Sequence, residues 1–299
     1  GLWPFGTLGW PENTPELQKY FPGDVLVTGQ DILFFWVARM IMAGLYFRGD
    51  IPFEDVYFHG MIRDDTGRKM SKSLGNSPDP SDLIGEYGAD ALRFTMISLT
   101  PRGGDILFSE KQVHTGRNFA NKVWNAGRFT LMSVGDDPIK PLAEVADDLE
   151  LSDRWILSRF GAMLRDLEQH LAGYRMDLAA QALYEFIWNE YCDWYLELIK
   201  PRLSENAVST ERETALSISV HVMKICMNLL HPYIPFITEE ITSNLKNAEE
   251  PSCVISDWPA ADESLIDKEK ERQMVFIQEI ISAVRNIRSE MNVPPSSQA

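Results

Sequence analysis

The sequence predicts an α/β unit followed by an all-α unit, on three observations. Two short β-type runs, residues 25–27 leading into Thr28-Gly29 and residues 56–60, flank a helix-length stretch at 31–47. That spacing suits a βαβ crossover with parallel strands. Beyond residue 62 apolar residues recur at helical rather than strand spacing. A polar segment with two prolines, 133–150, then separates shorter helices from longer ones. The expected divisions are 1–62, 63–150 and 151–299, the last an antiparallel helical bundle.

Taken in order, residues 1–23 are rich in Trp, Pro and Gly and read as an irregular connection that begins abruptly. Pro52 ends the 31–47 pattern before the second strand. Pro80-Ser81-Asp82 opens a helix, because proline suits a first turn, with Ile84, Tyr87, Ala91 and Phe94 on its apolar face. Phe119, Val123, Ala126 and Thr130 share one face of the next helix, and 133–150 reads as a linker. Ile156, Phe160, Met163, Leu167 and Leu171 keep helical spacing, as do Leu183, Ile187, Tyr191, Trp194 and Leu198 until Pro201. Thr210 with Glu213 predicts a capping box before a helix ending near Leu230. His231-Pro232-Tyr233-Ile234-Pro235 breaks that helix, and a last one is expected over about 265–291. No repeat or low-complexity tract is visible.

Composition bounds the class. Of 299 residues, 44% are hydrophobic and 24% charged, which excludes a largely disordered chain. The longest unbroken aliphatic and aromatic run, 32–38, falls short of the roughly 20 residues a bilayer crossing needs, so no membrane partner is expected. The opening GLWPFG lacks the basic leader of a signal peptide. Cys192, Cys226 and Cys253 lie far apart, with no CxxC pair or histidine cluster beside them. Neither a disulfide framework nor a protein-bound metal is expected, and the chain reads as a soluble, cytoplasmic monomer.

Lys plus Arg is 28 against 44 for Asp plus Glu, a net charge of −16, which weighs against a nucleic-acid surface. One stretch departs from this. Residues 111–132 hold Lys111, Arg117, Lys122 and Arg128 with no acidic residue. Screening acts over about 8–10 Å, so one basic helix can hold phosphates on an acidic protein. Arg117 and Arg128 stand about three turns apart along one side of that helix. They contact a nucleic-acid backbone or form a solvated face.

The most specific feature is Gly67-Arg68-Lys69-Met70-Ser71-Lys72-Ser73-Leu74-Gly75-Asn76, a glycine-bounded loop just after the second strand. A loop at the C-terminal edge of parallel strands faces the ligand crevice. Two ammonium groups there suit a polyphosphate whose charge grows as a P–O bond breaks. An isolated KxxK loop is more often a plain exposed turn. The whole KMSKS-x-GN string resembles the signature of class I aminoacyl-tRNA synthetases.

The resemblance extends further. The run from Val27-Thr28-Gly29-Gln30-Asp31 to Phe35-Trp36-Val37-Ala38-Arg39-Met40 is similar to a strand-helix segment of the valyl-tRNA synthetase family. So are YGADALRF at 87–94 and RNFANKVWN at 117–125, and NEYCDWY at 189–195 and LHP to EE at 230–240 resemble that family's anticodon-binding bundle. An isoleucyl relative would carry a His-Arg-Gly-Trp style run in place of GQDILFFWVARM, and isoleucyl- and leucyl-tRNA synthetases remain alternatives. The resemblance implies the second half of a Rossmann-type sheet at 1–62, the KMSKS loop and stem-contact helices at 63–150, and an anticodon-binding bundle at 151–299.

It also implies roles. ATP, with Mg2+, and valine would be substrates, with valine tRNA as partner. Lys69 and Lys72 match the signature lysines, and Lys72 would stabilise the departing pyrophosphate. Gly29 and Asp31 match a G-x-D element, the carboxylate accepting ribose hydroxyls. His59-Gly60 would line the adenine, although a plain strand-end histidine reads the same way. Met70, Ser71 and Ser73 belong to the ATP loop. Trp36 is either a wall of the amino-acid pocket or a core aromatic, and Lys111, Arg117, Lys122 and Arg128 would contact tRNA. Tyr184, Trp188, Tyr191, Trp194 and Tyr195 read as core rather than base-stacking aromatics, with Asp193 and the helix's glutamates on a solvated face.

Two family features do not occur in these residues, the HIGH motif and an editing domain. A valine pocket cannot strongly reject an isostere with an added hydroxyl, which gives editing a physical reason. The sequence ends at Ala299, just past Pro294-Pro295-Ser296, before an expected coiled-coil arm. The chain is therefore read as an enzyme fragment, inactive alone, with a non-catalytic tRNA-binding module as the alternative.

Overall fold

The computed structural model describes residues 1–294 apart from 102, 136, 205 and 246–249, and the side chain of Lys72 also lies outside the described part. Residues 295–299, the end of the sequence reading, lie outside it too. Strand β1 (Gly23–Gly29) pairs in parallel with β2 (Phe53–His59), placing Val27 beside Tyr57 and Gly29 beside His59. The crossover is a 3-10 turn (Gln30–Ile32), a π turn (Leu33–Val37) and helix α1 (Ala38–Phe47).

This crossover corrects one sequence expectation. Gln30–Phe47 forms eighteen helical residues of mean hydropathy 1.2, long and apolar enough to cross a membrane by length and composition alone. Counting only unbroken apolar residues hid it, because Asp31 and Arg39 interrupt the run. Phe34 (80% exposed), Trp36 (60%), Met42 (69%) and Tyr46 (82%) lie open along it.

A second parallel pair, β3 (Ile62–Arg63) and β4 (Ile106–Leu107), closes the base of the loop region. The single helix expected after Pro80 is two, α2 (Pro80–Tyr87) and α3 (Ala89–Ser98), broken at Gly88 with φ +90°. The break rotates the face, so Leu83, Tyr87, Ala91 and Phe94 are buried while Ile84 is exposed. Helix α4 (Glu110–Val134) starts in a capping box of Ser109 and Gln112, and buries Phe119, Val123, Ala126 and Thr130 as expected.

Residues 133–150 are not a free linker. Val145 is buried, and the Lys140 backbone N–H donates to Ser217 Oγ at 3.0 Å. The bundle follows with α5 (Leu151–Ala172) and α6 (Met176–Glu185), which continues through widened π turns (Phe186–Tyr195). Then come α7 (Ser209–Leu230), α8 (Pro235–Leu245) and α9 (Lys268–Glu290). The Thr210 capping box does not form. Val208 precedes α7, and Glu213 instead accepts from Lys140 Nζ at 2.5 Å and Ser209 Oγ at 3.2 Å. A cation 2.5 Å away is a stronger partner for a carboxylate than an exposed backbone N–H.

One core spans α3 to α9, centred on Ile156, Phe160, Leu183, Tyr191 and Tyr195. Within it Arg202 grips both oxygens of Asp153 at 2.8 and 3.0 Å, and Tyr195 donates to the same carboxylate at 2.9 Å. Asp153 is fully buried, so this pairing is what permits a charge there. The three cysteines are free and buried, and burial pushes the Cys192 thiol up to about 12.

Two residues of α3 tie it to the bundle. Asp90 of α3 accepts from Phe236 N and Ile237 N at 3.3 and 2.7 Å, capping the start of α8. Arg93 donates to the carbonyls of Pro232 and Tyr233 at 2.8 and 3.2 Å, beyond the end of α7. An anion at one helix start and a cation at another's end match both helix dipoles.

Candidate functional site

The site forms where β1 and β2 end side by side. Gly29 faces His59 in the register, and a Cβ on Gly29 would stand 2.6 Å from Asp31 Oδ1, so only glycine leaves that carboxylate its place. Gly60 is tighter still. A Cβ there would lie 1.7 Å from the Gly104 carbonyl oxygen. The chain then turns through β3 into the lysine loop, and a cavity of about 480 Å³ opens between them. Its lining includes His59, Gly60, Lys69, Met70, Ser77 and Thr100.

Lys69, one of the lining residues, also stands with its Nζ 3.8 Å from Asp31 Oδ2, both side chains more than half exposed. Exposed pairs of this kind are weak, so both groups can exchange each other for a ligand. His59 Nδ1–H donates to the Gly60 carbonyl at 3.0 Å, which turns Nε2 outward.

The loop is held by residues the sequence reading did not single out. Asp64, buried, accepts from Thr66 Oγ1 (2.6 Å), Asn76 Nδ2 (2.8 Å), Arg68 N (2.9 Å) and Arg68 Nε (3.1 Å). The hydrogen bonds from Thr66 and Asn76 hold its carboxyl well below the ordinary carboxylate range. Asn76 also donates to the Lys69 carbonyl at 3.3 Å and accepts from Ser71 N at 2.9 Å. The two ends of the signature are thus stitched to one buried anion. The available sequence signal was an Asp three residues before Gly67, with Asn76 closing the loop.

Ser71 and Ser73 meet each other at 3.2 Å, and Ser71 Oγ accepts from Leu74 N at 3.3 Å. They shape the turn of Lys72–Leu74. Trp36 is not among the residues lining the cavity, and at 60% exposed it is not a core aromatic either. Of the expected site residues, His59, Gly60, Lys69 and Met70 line the cavity, whereas Gly29, Asp31, Trp36, Ser71 and Ser73 are not among its lining.

Comparison with known proteins follows the same division. Residues 1–109 match the model of "tRNA synthetases class I (I, L, M and V)", and residues 153–299 match the "Anticodon-binding domain of tRNA ligase". The chain belongs to the class I tRNA synthetases. It is 47% identical over 300 residues to the valine–tRNA ligase of Fusobacterium nucleatum, covering 100% of this chain and 34% of that protein. The valine–tRNA ligase of Clostridium acetobutylicum is 46% identical, again with 100% and 34% coverage. The chain thus spans about a third of the length of these relatives. Among solved structures, the "LeuRS-tRNA-LeuAMS" complex of Agrobacterium radiobacter K84 superposes with a TM-score of 0.66 at 22% identity, covering 88% of this chain and 33% of that one. Methionyl-tRNA synthetase of Mycobacterium tuberculosis, with methionyl-adenylate, gives 0.65 at 23%, covering 79% and 47%. At such identities these two establish the fold. Synthetases of this class use ATP and bind tRNA.

On the synthetase's basic helix, Lys111, Arg117 and Arg128 are exposed. Lys122 is spent otherwise, a correction to its expected phosphate role. Its ammonium lies 2.5 Å from Asp193 and 4.7 Å from the centre of the Trp188 ring. Asp193, Glu185 and Glu197 are exposed, as expected of a solvated face, whereas Glu190 is half-buried and takes Arg159 at 2.8 Å. Tyr191 and Tyr195 are core, while Tyr184, Trp188 and Trp194 are half-buried.

The fold also gathers what the sequence kept apart. His231, Glu239 and Cys253 bring ligand-type atoms within 4.8 Å of one another. Hydrogen bonds account for the cluster. His231 Nδ1 bonds Thr238 Oγ1 at 2.9 Å, Glu239 accepts from Ser252 Oγ and Cys253 N, and Cys253 Sγ meets Thr242 Oγ1 at 3.2 Å.

Proposed function

We propose that this chain is the part of a cytoplasmic, monomeric valine–tRNA ligase that supplies one side of the ATP site and the tRNA-binding bundle. The observation that carries the reading is the opposition of Lys69 and Asp31 across the ends of two parallel strands. Ribose hydroxyls donate to the Asp31 carboxylate while Lys69 and Lys72 hold the phosphates, with Mg2+ on the nucleotide. The valine carboxylate attacks the α-phosphate, pyrophosphate leaves, and the lysines neutralise the charge that grows on it. His59 and Gly60 line the adenine. The protein itself contributes no bound metal to this chemistry. The open face of Phe34, Phe35, Trp36, Met42 and Tyr46 packs, in the longer protein, against the rest of the nucleotide fold.

Valine is the amino acid this reading favours, since the relatives at 45–47% identity are valine–tRNA ligases. The test is amino-acid-dependent ATP–pyrophosphate exchange by the full-length protein with valine, isoleucine, leucine and threonine. Valine should give the highest kcat/KM, and threonine should be rejected by only about 10²-fold at this step. A preference for isoleucine or leucine would refute the valine assignment.

A further inference from the structure

The turn between α5 and α6 carries a backbone conformation that its sequence does not explain. Helix α5 ends in a Schellman arrangement. Arg175 N donates to the His170 carbonyl at 2.8 Å and Tyr174 N to that of Leu171 at 3.0 Å. The residue in the left-handed position of such a turn is ordinarily glycine, because a Cβ is disfavoured there. Here it is Tyr174, with φ +55°, although Gly173 stands one residue earlier with φ −89°. A non-glycine residue stays left-handed only when its surroundings hold it.

What holds Tyr174 is the catalytic sheet. Its hydroxyl donates to Asp55 Oδ2 at 2.7 Å, and its ring lies 5.9 Å from that of Tyr57. Both partners are on β2, the strand that ends at His59. Among the described hydrogen bonds and ring contacts, these are the ones that join residues 1–62 to the bundle. The hydrogen bond also raises the Tyr174 phenol above its ordinary range, so the hydroxyl keeps its proton at neutral pH.

We propose that Tyr174 is a positioning residue that fastens the tRNA-binding bundle to strand β2, so that tRNA held by the bundle meets the adenylate in register. This rests on the synthetase reading and deepens it. Of this chain's parts, activation of the amino acid draws on the strand ends and the lysine loop. Transfer to tRNA needs the bundle and the strand held in one relation. The contact therefore serves the second step and not the first.

The test uses the full-length protein with Tyr174→Phe, Tyr174→Gly and Asp55→Asn. Loss of one hydrogen bond in Tyr174→Phe should lower kcat for aminoacylation roughly three- to tenfold. Valine-dependent pyrophosphate exchange and the Kd for tRNA should stay within about twofold of wild type. Asp55→Asn keeps an acceptor oxygen and should retain most of the transfer rate. Tyr174→Gly relieves the backbone, so its Tm should not fall, yet its transfer rate should drop at least as far. Unchanged aminoacylation in both Tyr174 variants, with normal exchange, would overturn the fastening role alone. Exchange that falls in parallel with aminoacylation would also overturn it. A wild-type protein with no amino-acid-dependent exchange would overturn the synthetase reading and this role with it.

Discussion

At the scale of single residues, Asp64 and Asn76 decide the shape of the lysine loop. Asp64 is charged throughout the physiological range. Its folded carboxyl is held below the ordinary value, so its stabilising effect is complete above about pH 4 and is lost only as pH falls through the folded value. Asn76 links that anion to Ser71 N and the Lys69 carbonyl, so Asn76→Ala frees the middle of the loop. Valine-dependent exchange should fall by about tenfold or more through kcat, with Tm nearly unchanged, because a catalytic group displaced by about 1 Å loses up to about 10² in rate. Exchange at the wild-type rate would show that the loop orders itself without this link. The lysines were legible in the sequence because their spacing is local. Asp64 was not, because its value comes from a contact across twelve residues that only the fold closes.

At the scale of elements, helix ends carry the connections. Asp90 caps α8 and Arg93 holds the turn after α7, so the YGADALRF string is a clamp between two regions rather than part of the site. Asp90→Ala should cost about 1 kcal/mol, the usual worth of an N-cap, and lower Tm by about 2–4 °C in differential scanning calorimetry. A second expectation concerns His221 on α7, half-buried with its ring edge-on to Phe160 at 6.4 Å. Burial holds its folded pKa below the ordinary value near 6.5, so the unfolded chain takes the proton first. Stability from this group is complete above that value and declines as pH falls below it. Tm should drop between pH 7 and 5, and His221→Gln should make that drop shallower. An identical pH profile in the variant would assign the drop to other groups. Periodicity found most helices because their buried faces repeat every three or four residues, as in Ile156, Phe160, Met163 and Leu167. It missed the break at Gly88, where one left-handed glycine changes the face without changing the spacing enough to see. It also treated 133–150 as solvent because prolines and aspartates dominate there, although Val145 lies in the core with Leu142 and Leu149 packed against it.

At the scale of the whole molecule, charge is organised locally against the net balance. The exposed cations Lys111, Arg117 and Arg128 lie on one helix of an acidic chain, whereas Lys122 is neutralised by Asp193. Sequence could show the basic run but not this division, since Asp193 arrives from a different helix. Arg117→Ala should weaken binding to every tRNA by a similar factor and reduce the salt slope by about one. A loss confined to one tRNA would indicate base reading instead. The fold class was legible because the βαβ spacing and the later helical periods are both short-range. The exposed apolar helix after β1 was not, since Asp31 and Arg39 interrupt its apolar run in the sequence. The most direct measurement of the central claim is valine-dependent pyrophosphate exchange in full-length Lys69→Ala and Lys72→Ala proteins, with tRNA affinity measured alongside. The account predicts a fall of about tenfold or more in exchange with tRNA affinity little changed. Exchange at the wild-type rate in both variants would contradict it.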